Sequence, residues 1–204
     1  MKRHIIISAA ISLLSTVAAC SDTLSLDGMG EAAVSMTRAG QSFVPFASSD
    51  DASSARSVSS DTVQSFFVTI AAVEFQSDSG WTRLDMDNAV RVDLMSLPEE
   101  GTTARVVAEG SIALGSYRAV RLVISNPEIV FRGDVSFGIG QTAEGGVTYD
   151  VALPGGATTL EAAAAVDVST GSEAVAALQF DAAASLMTVA LAADGAVLLN
   201  LAIR

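Results

Sequence analysis

The sequence predicts an all-β fold, a sandwich or barrel built from short strands. Three observations carry this expectation. From Val63 onward, short apolar runs rich in β-branched and aromatic residues recur at close intervals, which suits pleated, half-buried segments. Turn-forming clusters separate the runs, among them Ser77-Asp78-Ser79-Gly80, Pro98-Glu99-Glu100-Gly101, Asn126-Pro127 and Asp194-Gly195. Where polar residues enter a run they alternate with apolar ones: Val90, Val92 and Leu94 share one face, Arg91 and Asp93 the other.

The N-terminus has a different texture. Met1-Lys2-Arg3-His4 is a basic head, followed by the apolar stretch Ile5 to Leu14 and then Ser15-Thr16-Val17-Ala18-Ala19-Cys20. This is the pattern of a secretory signal peptide. The stretch falls short of the about 20 apolar residues that a bilayer span needs. Val17-Ala18-Ala19-Cys20 resembles the lipobox of bacterial lipoproteins. That resemblance implies cleavage before Cys20, diacylation of its thiol and acylation of the new amine. Cys20 is the only cysteine in the chain, so no internal disulfide supports the fold. Each buried CH₂ contributes about 0.8 kcal/mol, so several acyl chains give a stable anchor. In a Gram-negative host, Ser21 after the cysteine implies the outer membrane, with the protein facing the periplasm or the cell exterior. The expected organisation is a signal peptide at 1–19, a lipidated tether at 20–29 and a β-sandwich at 30–204. A flexible polar loop is expected at about 39–62.

Charge and composition exclude several functions. The net charge is −12, and removal of residues 1–19 with Lys2 and Arg3 takes it to −14. Such an acidic chain is a poor partner for nucleic acid or for anionic lipid bound by charge. His4 is the only histidine and would leave with the signal. A Ser-His-Asp triad, a Cys-His pair and a histidine metal site are then impossible in the remaining 185 residues. An enzyme would have to work with carboxylates, Tyr, Ser and Arg.

The expected elements follow in order. Residues 32–37 read as a first strand. Residues 47–61, rich in Ser, Asp and Ala and including Asp50-Asp51, read as a solvated loop. Phe66 to Phe75 is a strand, returning through Trp81-Thr82-Arg83-Leu84 after a loop of four or five residues. Residues 89–94 form the next strand. Residues 117–125 follow, with Val120, Leu122 and Ile124 on one face, and Asn126-Pro127 closes the strand. Further strands are expected at 128–132, 134–139, 146–153, 159–168, 173–181, 185–192 and 196–203. The last two flank the hairpin signal Asp194-Gly195. Leu160-Glu161-Ala162-Ala163-Ala164-Ala165 has high helix propensity, yet its neighbours favour a strand.

Several short motifs occur in a telling order: Gly80-Trp81, Val92-Asp93-Leu94, Leu114 to Leu122, Leu178 to Ala182 with Ser185-Leu186, and Leu198 to Arg204. With Gly30 to Thr37 as a first strand, they resemble the bacterial and archaeal family called domain of unknown function 4382 (DUF4382), over roughly residues 30–204. The resemblance implies an antiparallel β-sandwich, immunoglobulin-like or transthyretin-like, behind a lipoprotein signal, with no established activity. The chain departs from the family after Thr37. Asp-Ala-Pro is usual there, and Arg38-Ala39-Gly40 stands in its place.

Candidate sites come from residue chemistry. Tyr117, after Leu114-Gly115-Ser116, suits a tyrosine corner, its phenol bonded to backbone a few residues upstream. Asp85-Met86-Asp87-Asn88 sets two carboxylates and an amide beside a strand, a donor set for Ca²⁺, although the EF-hand spacing is absent. Trp81 beside a turn would either stack on a sugar or cap the sandwich edge, the second being the commoner role. Arg118 and Arg121 are expected to pair with acids across strands; a carboxylate ligand is the alternative. Gly138-Ile139-Gly140 and Gly145-Gly146 do not complete a phosphate-binding glycine motif. The expected protein is a non-enzymatic envelope lipoprotein, a binding or scaffolding module with an unidentified protein or glycan partner. The alternatives are a carbohydrate-binding or calcium-dependent adhesion module and a carboxylate-dependent glycosidase.

Overall fold

The computed structural model describes residues 28–39, 56–138, 140–156 and 158–204. The residues expected to form a signal peptide, the lipobox-like stretch with Cys20, the expected tether through residue 27, and Asp50-Asp51 lie outside the described residues. The strands are β1 (Met29–Arg38), β2 (Val63–Ser77), β3 (Gly80–Arg83), β4 (Val90–Asp93), β5 (Arg105–Ala113), β6 (Gly115–Phe131), β7 (Val135–Ser136), β8 (Thr142–Ala143), β9 (Thr148–Ala152), β10 (Thr159–Val168), β11 (Ala174–Phe180), β12 (Ala190–Leu191) and β13 (Val197–Leu198). One helical turn, α1 (Ala182–Ser185), precedes β12.

Two long strands form the spine of the larger sheet. β2 and β6 run antiparallel from Val63 opposite Phe131 to Gln76 opposite Ala119. On its other edge β2 carries β4 and β3. β6 likewise carries β10 along its first half and β9 along its second, and β9 leads on to β13 and β12. The smaller sheet has β1 between β5 and β11, and β7 and β8 form a separate ribbon.

Alternation explains why β2 is a strand. Val63, Phe66, Val68 and Ile70 are buried, with more open residues between them. A register shift between Ile70 and Ala72 resets the parity, so that Val73 and Phe75 also face inward. The two sheets meet through their inner faces. The ring of Phe66 in β2 touches that of Phe180 in β11 edge-on, with centroids 6.1 Å apart. Both rings are fully buried, and each such side chain contributes roughly 1.5–3 kcal/mol. The fold is all-β and sandwich-like.

Several elements differ from expectation. The sheets are mixed, because β1 pairs in parallel with β11, and β13 with β9. The chain leaves β10 in the larger sheet and crosses to the open edge of β1, where it arrives in the same direction as β1. Asn126-Pro127 does not end its strand, and β6 continues to Phe131. Thr69 faces Ser125 while Phe67 faces Glu128, so the pair bulges out of the ladder, and the missing proline N–H breaks no bond there. Asn126 takes φ +47 to make the bend. Residues 185–192 are not one strand. Asp181 Oδ1 caps α1 by accepting from the Ala184 amide at 2.9 Å, and the strand of this stretch is Ala190–Leu191, preceded by an isolated bridge at Val189. β5 occupies a stretch where no strand was expected.

Smaller corrections concern turns. The hairpin after β2 closes through Asp78-Ser79 alone, since Ser77 pairs with Gly80. The Asp194-Gly195 hairpin has a three-residue loop, because Ala192 donates to Ala196 O at 2.8 Å. Part of the expected solvated loop is built into the fold: Arg56 pairs with Val189, and Val58 is buried and donates to Leu186 O.

Candidate functional site

The outer face of the larger sheet carries a row of alternating charge. Arg83, Glu74, Arg121 and Glu161 stand in register on four adjacent strands. Arg121 Nε donates to Glu74 Oε2. Its guanidinium also lies over the Trp81 ring, 4.3 Å from the centroid. The same device recurs further along the sheet, where Arg91 lies 4.1 Å over Phe67 and bonds Glu128 at 2.5 Å. Each stacked pair contributes about 0.5–1 kcal/mol at such open positions. Arg118 reaches Asp78 at 2.9 Å and Gln76 at 3.3 Å. Both arginines therefore pair across strands, and one face of Trp81 is taken by Arg121.

Tyr117 lies on the inner side of this end of the sheet. Its ring meets Phe75 at 5.5 Å, and its hydroxyl donates to Ala113 O at 2.6 Å. That bond ties the end of β5 to the start of β6 across the Leu114-Gly115 crossing. Burial pushes the phenol above its ordinary pKa, and a hydrogen bond with Thr82 pulls partly the other way.

Asp85, Met86, Asp87 and Asn88 form the connection from β3 to β4. They line a depression of about 490 Å³ together with Ala71, Arg83, Leu84 and Ala89. Asp85 lies in line with β3 but pairs with β5: its amide donates to Ser111 O at 2.8 Å, and Ser111 N donates back at 3.3 Å. This approach requires Gly110. A Cβ there would lie 2.1 Å from the Asp85 carbonyl oxygen. Asp85 and Asp87 gather no third acidic ligand, and among the described residues no three His, Cys, Asp or Glu side chains converge. On the far side of Met86–Asn88, a groove of about 380 Å³ separates the edges of β4 and β5. Sequence reasoning missed Glu109 and Gly110, because their strand was not foreseen. The only local signal is Glu109-Gly110-Ser111 inside an apolar run.

A more polar hollow lies where Arg38, Asp93, Glu99 and Arg132 gather. Its groups largely serve one another. Arg38 bonds Glu99 at 3.1 Å and Met95 O at 2.8 Å. Asp93 Oδ1 accepts from the Phe66 and Met95 amides, each at 3.0 Å. Among the described residues, no buried side-chain nitrogen or oxygen lacks a partner.

The family model described as domain of unknown function (DUF4382) matches residues 51–200. The chain belongs to this family. No curated protein and no solved structure matches it. The DUF4382 match begins after β1, yet β1 is the middle strand of the smaller sheet. The folded unit of this DUF4382 protein therefore starts upstream of the matched span.

Proposed function

We propose that the chain is a lipid-anchored envelope lipoprotein whose DUF4382 sandwich is a non-enzymatic binding or scaffolding module. The observation that carries this reading is Val17-Ala18-Ala19-Cys20 behind a basic and then apolar head. The first described strand begins at Met29, so Ser21 to Gly28 would hold the sandwich within roughly 30 Å of the lipid. The module half of the reading draws on how the polar side chains are used. Arg91, Arg118 and Arg121 on the larger sheet engage neighbouring acids, which builds a surface and leaves little free reactivity. The sugar-binding alternative draws less support, because Arg121 occupies one face of the Trp81 ring.

Mass spectrometry of the membrane-bound protein is expected to find acyl groups at an N-terminal Cys20. Cys20→Ser should abolish them and release the protein from the membrane fraction. A free thiol on membrane-bound protein would overturn the anchor. Turnover of any substrate in a hydrolase screen, lost on one Asp or Glu substitution, would overturn the non-enzymatic half.

A further inference from the structure

The edge of β5 is an unfinished ladder. Ser111 exchanges both of its backbone bonds with Asp85, so it faces away from β1. In an antiparallel ladder alternate residues face the same neighbour, and Glu109 must also turn its N–H and C=O away from β1. Asp85 is the last residue of its segment to pair, because the chain then turns through Met86–Asn88 into β4. The next place on the ladder, opposite Glu109, has no strand among the described residues. In front of it lies the groove between β4 and β5, with Val90 and Val106 along its sides. Val106 is 52% exposed, so an apolar contact is on offer beside the open backbone groups.

The charge around this edge selects among occupants. Asp87 and Glu109 line the groove and Asp85 ends the existing pairing. None of the three is in an ion pair among the described residues. Two copies joined through β5 would bring these acids together, and like charges face to face destabilise a pair of strands. A basic segment removes that conflict.

We propose that the β5 edge is a strand-addition site for an extended basic peptide segment of a partner protein. The segment pairs its backbone with Glu109, sets apolar residues against Val90 and Val106, and presents cations to Asp85, Asp87 and Glu109. Such addition draws affinity from main-chain bonds and selectivity from alternate side chains. This names a partner for the binding-module reading and does not depend on the lipid.

The test uses the full chain and a labelled peptide of alternating Lys and Val, followed by fluorescence anisotropy and amide exchange. The expected result is binding with slowed exchange of the Glu109 amide, and no binding of the Glu-Val counterpart. Glu109→Pro removes the outward N–H together with one acid, whereas Glu109→Gln removes the charge alone; the proline variant should weaken binding about tenfold or more, and well beyond the glutamine variant, as loss of ladder bonds implies. A Lys-Val peptide N-methylated at alternate residues makes the same test on unaltered protein. Equal binding of the N-methylated peptide means charge adsorption alone and overturns the site. Absence of binding, or dimers formed through β5, overturns it as well. Failure here with acylated Cys20 intact would leave the anchor standing.

Discussion

A Cβ added at Gly110 would stand 2.1 Å from the Asp85 carbonyl oxygen, and that atom is backbone, so the chain itself must shift. Gly110→Ala is therefore expected to break the Asp85–Ser111 pairing and to cost about 1–3 kcal/mol, the usual penalty of overpacking. Chemical denaturation measures it. Tyr117→Phe deletes the bond to Ala113 O and should cost about 1 kcal/mol. Unchanged melting would remove the tyrosine from any corner role. The raised pKa of Tyr117 also predicts a pH dependence with a definite sign. The folded state holds the phenol proton more tightly than the unfolded state does, so this contribution is complete below the ordinary value of about 10. It is lost as pH rises through the raised value, and Tyr117→Phe should flatten that part of the stability profile.

Among elements, β6 depends on one residue for its shape. Asn126 alone among non-glycine residues described here has positive φ. Asn126→Ala should cost about 1–2 kcal/mol for the left-handed backbone, while Asn126→Gly should keep the bulge; thermal melts of the two variants compare them. The same strand shows what could be read from sequence and what could not. β10 was legible over 159–168 despite its alanines, because Leu160, Ala162, Val166 and Val168 all reach the core. The end of β6 was not, because a proline that stops a regular ladder is harmless in a bulge, and the bulge depends on the register with β2. β5 was hidden because Arg105, Glu109, Gly110 and Ser111 dilute its apolar residues, and its place is set by β1. The pairings of Arg121 and Arg118 were legible as residue types, whereas the stack of Arg121 on Trp81 needed the register of three strands. The groove beside Glu109 was invisible for the same reason as its strand.

At the scale of the whole molecule, the smaller sheet is held by its first strand. β1 gives one edge to β5 and the other to β11, and Ala32, Val34 and Met36 join the core. A chain begun at residue 51, where the family match starts, should lose that sheet and fail to fold cooperatively. A chain begun at residue 28 should fold. Dispersion of amide signals and the sharpness of the melting transition distinguish the two outcomes.

The placement of β1 also governs when the molecule can fold. Of its two neighbours, β11 is complete only at Phe180, far along the sequence from β1. Contacts so distant in sequence form late and slowly. Until β11 has been made the smaller sheet lacks one of its three strands, so a partly made chain cannot close its sandwich and keeps apolar surface open to chaperones.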